Sequence, residues 1–296
     1  MNEGKPRNSD FDYHEAYSRN LGWLTPVEQE SLRNKRVAIA GLGGAGGVHL
    51  LTLTRLGVGK FHLADLDLFN LVNFNRQAGA GMSSLGKDKV TVMSKLALDI
   101  NPDLELSLFP DGVQEDNIGK FLDGVDLYVY GLDYFVFHSR RMVYDACRQR
   151  GIPVTFAVPL GMGASLINFL PAGPSFEEYF RLEGFPPDEW PIRFLVGVAP
   201  GLLHKGYLVY PEIVDFKRQR VPSTGLACQI CAGMAGTEAL KLMLGRGKVL
   251  SAPHSMQFDA YSGRLKHCWR PGGNLHPLNQ LAIRYVTWRI NRENTQ

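Results

Sequence analysis

The segment RVAIAGLGGAGGVHLLTLTRLG (36–57) constrains this chain more than any other. It sets Gly41, Gly43 and Gly46 in the spacing G-x-G-x-x-G, between a short apolar run (36–41) and a helical pattern (47–57) that stops at Gly57. Gly41 permits the tight turn, Gly43 lets backbone N–H groups approach phosphates, and Gly46 allows close helix–strand packing. The start of the helix adds partial positive charge and free donors suited to an anion. Asp65 ends the next strand-like run, KFHLAD (60–65), where a carboxylate can take ribose hydroxyls. Strand, glycine loop, helix, strand and acid in that order predict a nucleotide-binding α/β unit. They leave NAD, FAD and ATP open.

The rest of the chain continues the alternation. KDKVTVMSKLALDINP (87–102), FHSRRMVYDACRQRG (137–151) and ACQICAGMAGTEALKLMLGRG (227–247) read as helices, and LELSLFP, DLYVYG, IPVTFAVP and GASLINFLP as strands. The pattern predicts an α/β fold: a Rossmann-like, mostly parallel sheet with helices on both faces, a long crossover insertion and a C-terminal antiparallel hairpin from SMQFDAY and GRLKHCWR. The divisions expected are an N-terminal arm (1–30), a nucleotide-binding core (31–171), a crossover or lid (172–224), the remainder of the core (225–270) and a tail (271–296). The proline- and aromatic-rich crossover is too long for a structureless connection, so it should carry helices of its own and is where substrate specificity should reside. The tail should pack as an amphipathic helix on its own domain.

The net charge of +3 and the lack of a long basic run argue against a nucleic-acid partner. The polar N-terminus has no apolar signal-peptide core, no run of about 18 apolar residues could span a membrane, and the four cysteines form no secreted disulfide framework. A cytoplasmic protein is expected.

Residues after Asp65 narrow the ligand. Asn73, Asn75, Arg76 and Gln77 crowd into LVNFNRQAGAG (71–81), and Lys89 follows in GKDK. Two cations and a helix N-terminus suit a triphosphate whose charge grows at a transition state, whereas hydride transfer needs no such clamp. Asp133 follows a strand on the carboxyl edge of the sheet, where it can hold Mg²⁺ bridging phosphate oxygens. Taken singly, each cation reads equally well as a solvated surface charge and Asp133 as a helix N-cap; in this order they support one another.

GLGGAG, ADLD, NFNRQ, GKDK and GLD, with TEALKLMLG downstream, resemble the ThiF/MoeB/HesA superfamily, which includes the adenylation domains of ubiquitin-activating enzymes. The resemblance covers roughly residues 10–171 and 225–262. It implies binding of ATP and Mg²⁺ and adenylation of a carboxylate, often the C-terminus of a small ubiquitin-like or sulfur-carrier protein, or a peptide. It implies nucleotide contacts from Gly41, Gly43, Gly44 and Gly46, ribose-side contacts from Asp65 with Asp67 beside it, phosphate contacts from Asn73, Arg76, Gln77 and Lys89, and metal binding by Asp133. Arg19, in YSRN, matches an arginine that reaches into the partner's site in family homodimers.

The cysteines depart from the pattern. Only Cys228 and Cys231 have C-x-x-C spacing, on an apolar helix, so zinc and redox roles are not expected and small buried helix residues are. Residues 172–224 hold no cysteine, so the usual crossover thioester relay is not expected. Competing readings are a dehydratase-like enzyme activating a carboxylate on tRNA, a nucleotide-binding scaffold without chemistry, and a nicotinamide or flavin oxidoreductase.

Overall fold

The computed structural model describes residues 10–293. Strands β1 (Arg36–Ala40), β2 (Lys60–Ala64), β3 (Glu105–Phe109), β4 (Leu127–Tyr130), β5 (Val154–Leu160), β6 (Gly163–Phe169), β7 (His254–Asp259) and β8 (Arg264–Trp269) form one sheet, in the order β3-β2-β1-β4-β5-β6-β7-β8. The first five run parallel and the last three join antiparallel. Around it lie α1 (Tyr13–Ala16), α2 (Pro26–Asn34), α3 (Gly44–Leu56), α4 (Lys89–Ile100), α5 (Ile118–Phe121), α6 (Phe137–Gln149), α7 (Phe176–Phe180), α8 (Trp190–Val198), α9 (Gly225–Leu244) and α10 (Pro277–Glu293).

Alternation along each strand builds two cores. Val37, Ile39, Leu63 and Val129 face the layer with α3, α4 and α9; Ala38, Ala40, Tyr128, Tyr130 and Phe156 face the layer with α6, α7 and α8. Both faces of the central strands β1 and β4 are therefore apolar, as a covered parallel sheet requires.

Local chemistry explains where elements start and change direction. The first helix after the loop begins at Gly44, three residues before the expected 47, because GGAGG is taken into its opening turn; it stops at Gly57, left-handed at φ 98°. β5 and β6 are joined only by Gly161 and Met162, too short for a parallel crossover, so the sheet turns antiparallel there. The left-handed Gly161, φ 63°, makes the turn. Thr25 and Glu28 form a capping box on α2, and Thr224 caps α9.

The crossover carries α7 and α8 but spends its rings inward. Phe176, Tyr179, Phe180 and Phe194 are 0–2% exposed and pack on Phe156 and Phe169 of the sheet. They are core, not the lining of a substrate cover. The tail helix α10 packs through Ile283 on Ile192 and Val196 of α8.

The tightest point of the fold is where β1 and β4 meet the glycine loop. A Cβ at Gly46 would lie 1.8 Å from the carbonyl oxygen of Gly41, and one at Gly131 would lie 2.2 Å from the same oxygen. Gly46→Ala should therefore cost about 2 kcal/mol or more, since the obstruction is backbone and cannot rotate away. Urea denaturation should show the lower midpoint, and an unchanged midpoint would refute this packing.

Candidate nucleotide-binding site

The carboxyl ends of β1, β2 and β4 bring the candidate residues to one edge of the sheet. Gly41 turns the chain off β1 with φ 84°, and the loop enters α3 directly, aiming its first N–H groups outward. Side chains limit the space beside the loop. A Cβ at Gly43 would touch Gln77 Nε2 at 3.4 Å, and one at Gly44 would meet Cys228 Sγ at 3.0 Å and Arg76 Cγ at 3.4 Å. The loop, Arg76, Gln77 and the start of α9 thus form one cradle from segments far apart in sequence.

Asp65 is 9% exposed and supports the loop from below. Its Oδ2 accepts from the Leu42 N–H at 2.6 Å and its Oδ1 from the Asp67 N–H at 2.8 Å. Burial raises its carboxyl pKa, against the opposing pull of these two N–H groups and Lys89. The carboxylate therefore shapes the turn that carries the glycine loop. Lys89, 5% exposed at the start of α4, gives its Nζ to Asp67 Oδ2 at 2.9 Å. Asp67, largely exposed, parks this cation on the site's edge.

The 71–81 segment is a compact loop held by its own polar groups. Asn73, 7% exposed, accepts from the Asn70 N–H at 2.9 Å. Arg76 donates to Val72 O at 2.9 Å and to Asn75 Oδ1 at 3.0 Å. Asn75 donates to Ser223 O at 2.9 Å and so ties the loop to the entry of α9. Gln77 is 7% exposed, and its Oε1 is buried without a partner beside the glycine loop. Asp133 lies on the turn after β4, with an exposed carboxylate whose Oδ1 accepts from the Phe135 N–H at 3.1 Å.

Arg19 does not join this cradle in its own chain. It is exposed, and its neighbours pin the arm to the far end of α3: Tyr13 donates to Gly57 O at 2.7 Å, Tyr17 to Thr54 O at 2.8 Å and Asn20 to Leu56 O at 3.2 Å. The 13 residues of α3 separate that end from the loop by about 20 Å, beyond the reach of an arginine side chain.

Three features were not anticipated. Cys228 lies against the glycine loop, with its thiol pKa raised by burial and pulled back by Arg76. Cys231 donates to His49 Nε2 at 3.5 Å, while His49 Nδ1 donates to Tyr130 O at 3.1 Å, which fixes the ring's tautomer. Arg140 is fully buried behind the Asp133 turn. The C-x-x-C spacing was visible in the sequence, but its nearness to Gly44 and His49 depends on a contact across some 180 residues. All four cysteines are free and buried. Among the described residues no cluster of histidine, cysteine or acidic side chains could by itself hold a metal ion. A cation at Asp133 would need ligands from a bound phosphate chain.

The donors fit a nucleotide phosphate chain and a hard cation. The loop space is one that a Cβ would fill, the Asp133 carboxylate is an exposed oxygen donor, Arg76 lies against the loop at Gly44, and Lys89 pairs with Asp67 beside Asp65. A model of the ThiF family matches residues 17–272, and the chain belongs to that family. It is 34% identical over 143 residues to the tRNA threonylcarbamoyladenosine dehydratase of Bacillus subtilis, covering 47% of this chain and 54% of that protein. It is 25% identical over 251 residues to the SAMP-activating enzyme E1 of Haloferax volcanii, covering 77% of this chain and 92% of that one. The chain spans about half the length of the B. subtilis relative and of a probable molybdopterin-synthase adenylyltransferase from Porphyra purpurea. The fold is that of E. coli MccB: TM-score 0.68 and 19% identity to its structure with MccA, over 92% of this chain and 76% of that one, and TM-score 0.63 to its structure with ATP. No helix among the described residues is long and apolar enough to cross a membrane.

Burial also sets a pH dependence beneath the site. His49, 1% exposed, has its pKa depressed from 6.5 to about 4 by desolvation. The unfolded chain then takes up a proton as pH falls below 6.5 while the folded chain does not, so this part of the stability is present at pH 7.5 and lost toward pH 4. Between pH 7.5 and 5 wild type should lose about 2 kcal/mol more than His49→Leu, from a shift worth 1.36 kcal/mol per pH unit. Parallel stability–pH curves by urea denaturation would contradict the assignment.

Proposed function

We propose that the chain is an ATP-dependent adenylyltransferase that activates a carboxylate as an acyl-adenylate. The observation that carries this reading is the meeting of the glycine loop, Arg76, Gln77, Lys89 and Asp133 on one sheet edge, with Asp65 under the loop. Names among the similar proteins, including an E1-type activating enzyme, probable adenylyltransferases and MccB with ATP, support it.

The chemistry needs positioning and charge stabilisation rather than a protein nucleophile. The substrate carboxylate oxygen attacks the α-phosphorus of ATP; the bond from that phosphorus to the bridging oxygen breaks, and pyrophosphate leaves with the electron pair. The loop N–H groups of 41–47 and the N-terminus of α3 hold phosphate oxygens. Arg76 and Lys89 take up the charge that grows on the leaving side, Lys89 by exchanging Asp67 for phosphate. Asn73 and Gln77 keep the 71–81 loop against the chain of phosphates, and Asp65 takes the ribose hydroxyls. Asp133 would hold Mg²⁺, which when bound neutralises phosphate charge.

The substrate carboxylate is proposed to belong to a small protein or peptide, in keeping with the SAMP-activating and MccA-bound similarities. A carboxylate on tRNA is the second reading, favoured by the identity to the B. subtilis dehydratase and opposed by the small net charge. Cys228 and Cys231 are both buried, so capture of the adenylate falls to a group on the substrate or a partner.

The working unit is proposed to be a homodimer in which each Arg19 serves the other chain's site. Two facts support exchange: the distance of the arm from its own loop, and the apolar surface on either side. Trp23 is 86% exposed and Val27 79%, beside Arg19; Leu71, Val72 and Met82 are 65–76% exposed around the 71–81 loop. Patches of this kind mark protein contacts.

Calorimetry should show MgATP binding and no NAD binding, and a cognate carboxylate should stimulate ATP–pyrophosphate exchange. Asp133→Ala should reduce that exchange by about 100-fold or more while leaving the urea midpoint nearly unchanged. Tight NAD binding without heat from MgATP would overturn the reading. Arg19→Ala and Asp133→Ala homodimers should both be nearly inactive, whereas a doubly tagged hybrid regains one intact site of its two. A hybrid no more active than its parents would place Arg19's action within its own chain or nowhere.

A further inference from the structure

Arg140 is the largest fully buried side chain among the described residues, and no step above uses it. It projects from α6 under the turn that follows β4. Its Nη2 donates to Asp133 O at 2.6 Å, to Tyr134 O at 2.9 Å and to the Tyr130 hydroxyl at 2.7 Å, and its Nε donates to the same hydroxyl at 3.2 Å. Every acceptor is an uncharged oxygen. Aromatic faces surround the guanidinium: Phe194 at 4.1 Å, Phe137 at 4.9 Å and Tyr130 at 5.3 Å to the ring centroids. Its Nη1 is buried with no partner.

A buried cation satisfied only by neutral groups is a costly choice for holding a turn together. An apolar residue would fill the same space, but it could not gather two consecutive backbone carbonyls. Those carbonyls belong to Asp133 and Tyr134, so Arg140 fixes the backbone that carries the Asp133 carboxylate. The other half of the clamp comes from the crossover: Tyr134 donates to Pro191 O at 2.5 Å and stacks on Phe216 at 6.1 Å, and Phe194 of α8 lies over the guanidinium. The 131–136 turn is thus gripped between α6 and the crossover.

We propose that Arg140 is a positioning residue for the metal, holding the Asp133 turn in register with the phosphate loop and making that register depend on the seating of α8. The inference rests on the assignment of Asp133 as the Mg²⁺ ligand of an ATP site. Arg140 itself touches neither nucleotide nor metal. Removing it lets the Asp133 carbonyl and its side chain swing away while the glycine loop, Asp65 and Lys89 stay in place. The loss is therefore of metal-dependent affinity, not of nucleotide affinity as such.

The test is ATP binding by calorimetry on the full chain, with saturating Mg²⁺ and with EDTA, for wild type, Asp133→Asn, Arg140→Met and Arg140→Lys. The ratio of the two affinities should fall about tenfold in Arg140→Met, toward that of Asp133→Asn, as when a support of a metal ligand is removed. Affinity in EDTA should stay within about twofold, and Arg140→Lys should lie between the two because it keeps a donor but not the fork. A merely structural arginine would lower the melting temperature and leave the ratio alone. Folded Arg140 variants with the wild-type ratio would overturn the proposal. If they do not melt cooperatively, Tyr130→Phe, which removes the hydroxyl bound by two of the guanidinium nitrogens, should lower the ratio measurably, and a wild-type ratio there overturns it equally. A wild type whose ATP affinity is indifferent to Mg²⁺ removes the metal assignment and this inference together; a metal-dependent wild type with unaffected variants removes the inference alone.

Discussion

The structure depends on one crowded crossing, where the carbonyl of Gly41 lies between Gly46 and Gly131 with no room for a Cβ on either. That contact closes the gap between β1, β4 and the first turn of α3. It brings the N–H groups of the loop and the Asp133 turn to the same sheet edge. Asp65 reinforces it by accepting from Leu42 and Asp67, so the acid that follows β2 also holds the loop that follows β1. A single steric constraint thus sets the spacing between the glycine loop and the carboxylate proposed to hold a metal.

Around this crossing the cations are restrained in different ways. Lys89 is buried and paired with Asp67, which holds it near the site. Arg76 is half-buried and leans on a carbonyl and an amide of its own loop. Arg140 is buried on neutral oxygens and ring faces. Each arrangement prevents a flexible side chain from being lost to solvent, and each leaves a different freedom. In the proposed site Lys89 and Arg76 would exchange a partner for phosphate, while Arg140 cannot move without releasing the turn above it. Arg19, exposed at the far end of α3, stands outside this set, and its proposed role is therefore in a second chain's site.

The crossover is best understood as part of the core. Its rings complete the layer that covers β4, β5 and β6, and they reach the site only through Tyr134 and the 131–136 turn. Under the proposed clamp, a shift of α8 would reach Asp133 through these packed rings.

Much of the fold was legible in the residues. G-x-G-x-x-G after an apolar run, Gly57 and Gly245 as helix stops, the alternation of strand and helix, and the final hairpin all follow from local rules of backbone freedom and side-chain period. The residue types of the candidate site could also be named from the sequence, because phosphate, ribose and a hard cation, the ligands proposed there, each call for particular donors. The antiparallel turn at Gly161–Met162 was harder to read, since both flanking runs are apolar and differ only in the length of their connection. The inward aromatic rings of 172–224, the thiol of Cys228 against Gly44, the pairing of Cys231 with His49 and the clamp of Arg140 on Asp133 were decided by tertiary structure. Composition and period say that a side chain is apolar, ionisable or at the end of a strand. Which distant backbone it meets is set by how two helical layers close over a twisted sheet, and that is a property of the whole chain's packing, not of any local segment.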